Sequence, residues 1–274
     1  MRAYLPEYEA VSARSLVEAL TLLSQNDVGG GADLAGDGAA GGALQRAWLP
    51  LAGGTDLMVL LNAGKLPPGR YVDIYGIDEL RGIAVTPSHV DLGALTTFTH
   101  VRHHALLQTE FPSLVQASVE SGAIAIQNRG TLGGNISNAS PAADSPPALL
   151  TYDAELELVS LRGARWVPYA EFHTGYKQML RRADELIARV RIPRLSQSDR
   201  ERAVHYYRKV GTRKAQAISK ICFAGLALRD GDRIVRARVA LGSVAPTPLR
   251  CPRTEAVIES GPVTPALVRE AQAM

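Results

Sequence analysis

Two short glycine-bearing segments offer the plainest chemistry in this sequence: Ala52-Gly53-Gly54-Thr55-Asp56-Leu57 and Thr131-Leu132-Gly133-Gly134-Asn135-Ile136-Ser137-Asn138. Each joins two adjacent glycines to hydroxyl or amide side chains. Glycines let the backbone approach an anion and turn its N–H groups inward, and a helix N-terminus adds partial positive charge. Such a segment can hold a pyrophosphate without many basic side chains. The second runs on into Ser140-Pro141-Ala142-Ala143-Asp144-Ser145-Pro146-Pro147, a proline-stiffened stretch rich in donors and acceptors. Two separated loops of this kind suggest one extended ligand clasped between two subdomains. Gly, Asn, Ser and Pro also dominate ordinary tight turns, so residue type alone leaves the turn reading open for each segment.

Other constellations carry less. Gly36-Asp37-Gly38-Ala39-Ala40-Gly41 satisfies G-x-G-x-x-G, but it lies in Val28 to Leu44, where 12 of 17 residues are Gly or Ala, with no strand before it and no helix after it. That stretch reads as a flexible surface loop. His100, His103 and His104 have the i, i+3, i+4 spacing of a metal site, yet no acidic or cysteine partner is placed near them, and a solvated helix face is the simpler reading. Cys222 and Cys251 are the only cysteines, too few for an iron–sulfur cluster or a disulfide framework. No metal site is expected, and no catalytic residue is assigned.

The elements that must position these residues follow from periodicity. Ser15-Leu16-Val17-Glu18 reads as a capping box opening a short amphipathic helix. Trp48 to Ala52 reads as a strand feeding the first glycine turn, then a capped helix from Leu57 that stops at Gly64. From Tyr71 to about Ile192 short strands (Tyr71 to Ile74, Val90 to Ala94, Leu156 to Leu161, Leu186 to Ile192) alternate with helices such as Thr99 to Gln108. A polar stretch after Pro193 marks a domain edge. Val204 to Arg208, Ala217 to Arg229 and Arg233 to Ala240 read as strands, with a hairpin at Gly231-Asp232, before a final helix with Pro265 at its first position. The fold class expected is α+β.

Composition bounds the function. The chain has 274 residues, 30 Lys+Arg against 27 Asp+Glu, and 46% hydrophobic residues. That excludes intrinsic disorder. Apolar runs fall far short of the ~20 residues a membrane-spanning helix needs. The N-terminus has no apolar run of a signal peptide, so a cytoplasmic location is expected. The basic residues are scattered, which argues against nucleic-acid binding.

Together the segments resemble the FAD-binding (medium) subunit of the molybdenum hydroxylase family, the xanthine dehydrogenase and aerobic carbon monoxide dehydrogenase type. The resemblance rests on Leu51 to Leu57, Thr131 to Asp144, Tyr176-Lys177, Asp184-Glu185-Leu186-Ile187 and Ala217-Ile218-Ser219-Lys220, in the family's order over nearly all of the chain from Leu5 to about Gly261. It implies a two-subdomain FAD-binding domain of the vanillyl-oxidase-like type over residues 1–195, with subdomains of about 1–62 and 63–195, and a small antiparallel-sheet-plus-helix domain over 200–274. It also implies non-covalent FAD. Its pyrophosphate would lie between one loop, Leu51, Ala52, Gly53, Gly54, Thr55, Asp56 and Leu57, and another bearing Thr131, Gly133, Gly134, Asn135 and Asn138. Asp144 and Lys220 would reach the ribityl–phosphate region, and Tyr176 and Ile187 would flank the isoalloxazine.

The implied function is electron transfer within a complex: from iron–sulfur clusters on a small subunit, fed by a molybdopterin large subunit, to FAD and on to NAD or another acceptor. Two departures stand out. Val28 to Leu44 is longer than the family's connection, and relatives often continue beyond the position of Met274. Two rivals stay open at this stage, a self-contained flavin oxidase or reductase of the same fold and a non-catalytic nucleotide-binding module.

Overall fold

A computed structural model describes residues 8–26, 47–213 and 217–274. The Gly/Ala-rich stretch and its G-x-G-x-x-G pattern lie outside these residues.

Three parallel strands, β1 (Tyr8–Ser12), β2 (Trp48–Leu51) and β3 (Gly69–Asp73), form the first sheet in the order β1-β3-β2. Parallel neighbours need crossover connections. The Leu16–Leu23 helix follows β1 and buries Ala19, Leu20 and Leu23. Ser15 caps it, its hydroxyl accepting from Glu18 N at 3.2 Å. The reciprocal half of the expected capping box is absent, because Glu18 accepts instead from Arg14 N. This sheet reaches past the expected subdomain edge near residue 62, since β3 is its central strand. Its core of Trp48, Val72, Ile74, Ile77 and Leu80 extends further still.

The second sheet is antiparallel. It comprises β4 (Ile83–Val85), β5 (His89–Gly93), β6 (Glu155–Ser160), β7 (Gly163–Pro168) and, after the small hairpin of β8 (His173–Gly175) and β9 (Gln178–Met179), β10 (Leu186–Pro193). The order is β4-β5-β10-β6-β7. Central β10 is mostly buried, consistent with its run of Leu, Ile, Ala and Val. Between β5 and β6 the chain inserts six short helices. The single helix expected over Thr99 to Gln108 is two, Phe98–His103 and Ala105–Glu110, because His104 adopts an extended ψ of 113° between them.

The C-terminal unit is a four-stranded antiparallel sheet, β11 (Ala203–Gly211), β12 (Ser219–Asp230), β13 (Arg233–Gly242) and β14 (Leu249–Arg250), followed by helices Pro252–Glu259 and Pro265–Gln272. The turn between β12 and β13 uses Gly231 at φ 61°. Ala224, Leu226 and Ala240 join Ala148 and Leu149 in the main core, so this sheet packs directly on the Ser145–Thr151 helix, all seven residues of which are buried. The α+β class and the small antiparallel C-terminal sheet are as expected from the sequence. No helix among the described residues is long and apolar enough to cross a membrane.

Candidate functional site

Strand β2 delivers the first glycine turn to the boundary between the first two sheets. A Cβ on Gly53 would lie 2.0 Å from the Arg129 carbonyl oxygen, so only glycine lets these two backbones pass. Gly54 follows at φ 76°, a left-handed conformation that suits glycine. Among the described residues the N–H groups of Gly53 to Leu57 donate to no protein acceptor. Asp56 does not cap the short Leu57–Asn62 helix. Its carboxylate accepts from Asn138 Nδ2 at 2.9 Å, tying the first glycine segment to the second.

The second segment is a helix, Leu132–Ser137, rather than a loop. Its leading N–H groups are satisfied internally: Leu132 N donates to Thr96 O, Gly133 N to Ala94 O and Gly134 N to Thr131 Oγ1. Among the described residues, N–H groups without a protein acceptor are thus found along the first segment and not at the start of the second. Glycine at 133 has a packing reason, since a Cβ there would meet Ala94 Cβ at 2.7 Å and its carbonyl oxygen at 2.9 Å. Asn138 extends the tie, its side-chain oxygen accepting from Lys177 Nζ at 2.8 Å, on the β8–β9 turn. Burial pulls the Lys177 ammonium below its usual range, and Asp56 opposes that shift.

Asp144, 9% exposed, sits where this region meets the C-terminal sheet. Lys209 Nζ donates to its Oδ2 at 2.7 Å and to Glu120 O at 3.0 Å, and Ser219 Oγ donates to its Oδ1 at 2.6 Å. Tyr207 OH donates to the Asp144 carbonyl and accepts from the Cys222 thiol at 3.0 Å. Burial raises the Asp144 carboxyl above its ordinary range, opposed by the hydrogen bonds from Lys209 and Ser219. Burial likewise pushes the Cys222 thiol up to about 12.

These elements enclose a cleft of about 580 Å³, inside the ~300–1,000 Å³ span of small-molecule sites. Thirteen of the sixteen residues expected at the site line it: Ala52 through Leu57 on one side, Thr131, Gly133, Gly134, Asn135 and Asn138 on the other, with Asp144 and Ile187. Leu51, Tyr176 and Lys220 do not. Leu51 closes β2, its carbonyl accepting from Ile74 N. Tyr176 is 61% exposed on the β8–β9 turn. Strand alternation buries Ser219 against Asp144 and turns Lys220 outward. The lysine that stands beside Asp144 is Lys209, from the neighbouring strand.

Among the described residues the wall carries two cations, Arg181 and Lys209; both belong to basic doublets of the sequence, and neither is among the residues expected at the site. The inward face of β11 was the available signal for Lys209. Arg181 sits in an irregular connection that no periodicity addresses. Among the described residues no cluster of three metal-ligating side chains exists, and His100 Nδ1 accepts from Thr97 N in a capping box.

The sequence pattern of the FAD-binding domain in molybdopterin dehydrogenase matches residues 6–195, and that of the CO dehydrogenase flavoprotein C-terminal domain matches residues 205–274. The chain belongs to this flavoprotein family. Among its relatives, the xanthine dehydrogenase FAD-binding subunit of Escherichia coli O157:H7 is 35% identical over 214 residues, covering 78% of this chain and 72% of that one. The glyceraldehyde dehydrogenase medium chain of Sulfolobus acidocaldarius is 30% identical over 253 residues, covering 92% and 81%. A solved structure of carbon monoxide dehydrogenase from Hydrogenophaga pseudoflava superposes with a TM-score of 0.85 at 26% identity, covering 98% of this chain and 85% of that one.

The flavoprotein's cofactor is FAD, and the cleft suits it. A row of free N–H groups fits a diphosphate. Apolar wall residues such as Leu95, Ile126 and Ile187 suit a flat aromatic ring. This chain is the FAD-binding medium subunit of a molybdenum hydroxylase, an oxidoreductase subunit.

Proposed function

We propose that the flavoprotein is the electron-relay subunit of a cytoplasmic complex, taking electrons from iron–sulfur clusters on a small partner subunit and passing them to NAD or another acceptor, while substrate is oxidised on a molybdopterin-bearing large subunit. The supporting observation is a cleft that combines free backbone donors with an apolar wall containing neither His nor Cys among the described residues. A self-contained oxidase ordinarily places a dedicated proton donor beside the ring, and Asp144 in this wall is already engaged by Lys209 and Ser219.

When bound, FAD supplies a carrier that exchanges electrons singly with clusters and in pairs with a hydride acceptor. The chain's own residues do the holding. Gly53 to Leu57 offer N–H groups to the diphosphate, with Asn138 and Lys177 fixing the Asp56 end of that turn. The Leu132–Ser137 helix, seated by Gly133, forms the facing wall through Asn135 and Asn138. Ile187 and the Ser121–Ala123 turn exclude water from the ring, and the Asp144–Lys209 pair closes the C-terminal side. Tyr176 and Lys220 take part only by swinging in over the bound ligand.

Affinity purification of the tagged chain from its source cells, with metal analysis of the eluate, tests the relay reading. Iron and molybdenum should co-elute in fixed proportion to FAD. Elution of the chain alone, turning over a small substrate unaided, would contradict it.

A further inference from the structure

Arg181 occupies the connection between β9 and β10 and is 6% exposed, yet it lines the cleft. Its Nη1 donates to the carbonyls of Arg182 (3.1 Å) and Glu185 (2.6 Å). Its Nε and Nη2 donate to no acceptor among the described residues, and it forms no ion pair there. The neighbouring carboxylates are already engaged: Asp184 by Arg162 at 2.7 Å, and Glu185 by Arg165 at 2.8 Å and Arg182 at 3.8 Å. Four guanidinium groups thus meet two carboxylates around this connection, a surplus of two positive charges, and Arg181 is the one of the four that lines the cleft. Lys209, the other cation of the wall among the described residues, is neutralised by Asp144.

A guanidinium does not deprotonate in a protein, so Arg181 cannot relieve its burial by losing charge. Leaving a buried cation without a counter-ion is strongly unfavourable. Burial indeed disfavours its charged form, partly offset by Glu185 and Asp184. Two backbone carbonyls hold one nitrogen of the fork in place, which leaves the opposite edge pre-positioned. A planar pair of N–H donors suits one or two oxygens of a phosphate.

Resting on the FAD reading of the cleft, we propose that Arg181 is its anion-recognition residue, presenting its Nε–Nη2 edge to a phosphate oxygen of the bound dinucleotide. The first glycine turn then contributes neutral N–H groups and Arg181 the charge.

Deflavinated full-length chain, titrated with FAD, ADP and riboflavin by calorimetry, tests this. Arg181→Met should weaken FAD and ADP by about ten- to a hundred-fold, the effect of one charge-assisted contact, and leave riboflavin within roughly twofold of the unaltered chain. Arg181→Lys should recover part of the loss. Retained riboflavin binding also reports that the variant is folded. Unchanged FAD and ADP affinity in Arg181→Met would overturn the proposal, and so would an equal loss of riboflavin, which carries no phosphate. If the unaltered chain binds no FAD at all, the FAD reading fails first and the proposal with it.

Discussion

Lys209 Nζ lies 2.7 Å from Asp144 Oδ2, both side chains about nine-tenths buried, and this ion pair joins the C-terminal sheet to the residue that precedes the wholly buried Ser145–Thr151 helix. Removing one partner of such a pair strands a buried charge, at a cost of about 3–5 kcal/mol. Lys209→Met should therefore lower stability by that order and loosen FAD binding, whereas the double variant Lys209→Met/Asp144→Asn should regain much of the stability. Urea unfolding of the three proteins, followed by circular dichroism, checks this.

Gly53→Ala should be the most damaging single-methyl change in the cleft. The added carbon would lie 2.0 Å from the rigid Arg129 carbonyl, so the backbone must shift. Overpacking of this kind costs roughly 1–3 kcal/mol, and the displaced turn should fail to retain FAD through gel filtration. Gly76→Ala has open space and an ordinary φ, so it should leave both stability and flavin content unchanged.

Gly134→Ala should be milder. Its Cβ would meet only Thr131 Oγ1, at 2.8 Å, displacing the hydroxyl that caps the Leu132–Ser137 helix. Loss of such a cap is worth about 1 kcal/mol, readable as a lower midpoint in thermal unfolding.

Acid should destabilise the protein partly through Glu110. Its carboxylate receives two hydrogen bonds from Arg194, which hold its pKa below the ordinary glutamate value. The unfolded chain then takes up a proton before the folded one does as pH falls. The stabilisation is present above the ordinary glutamate range and is lost as pH drops through the lowered value. Glu110→Gln should flatten the fall in melting temperature between about pH 6 and pH 3. An unchanged slope would show that Glu110 does not contribute to the acid sensitivity.

Cys222 should resist thiol reagents in the native state, because it is fully buried and its thiol is raised to about 12. At mildly alkaline pH Ellman's reagent should label Cys251 first and Cys222 only on adding denaturant.

Much of this architecture is legible in the residues, because the local signals and the tertiary contacts agree. The β11–β12–β13 alternation, the Gly231 hairpin and the Pro265 helix start are all local signals that the packing keeps. The Thr131 to Asn138 segment shows the limit. Adjacent glycines are poor helix formers, yet Thr131 capping and the bonds from Leu132 and Gly133 to Thr96 and Ala94 fold it as a helix. Those partners lie far enough away in the chain to be invisible to periodicity. Lys209 was hidden for a similar reason: its partner Asp144 is 65 residues distant, and only the inward parity of β11 brings them together. Arg181 belongs to an irregular connection, so nothing local distinguishes it from the exposed Arg182 beside it.

A cleft of this kind should hold FAD without a covalent link. The most direct measurement is an absorption spectrum of the purified chain after incubation with FAD and desalting, with the chromophore then released by mild denaturation and identified chromatographically. Flavin bands at about one equivalent per chain, released intact as FAD, are the predicted result. A chain that stays colourless after loading, or one that keeps its flavin through denaturation, would contradict it.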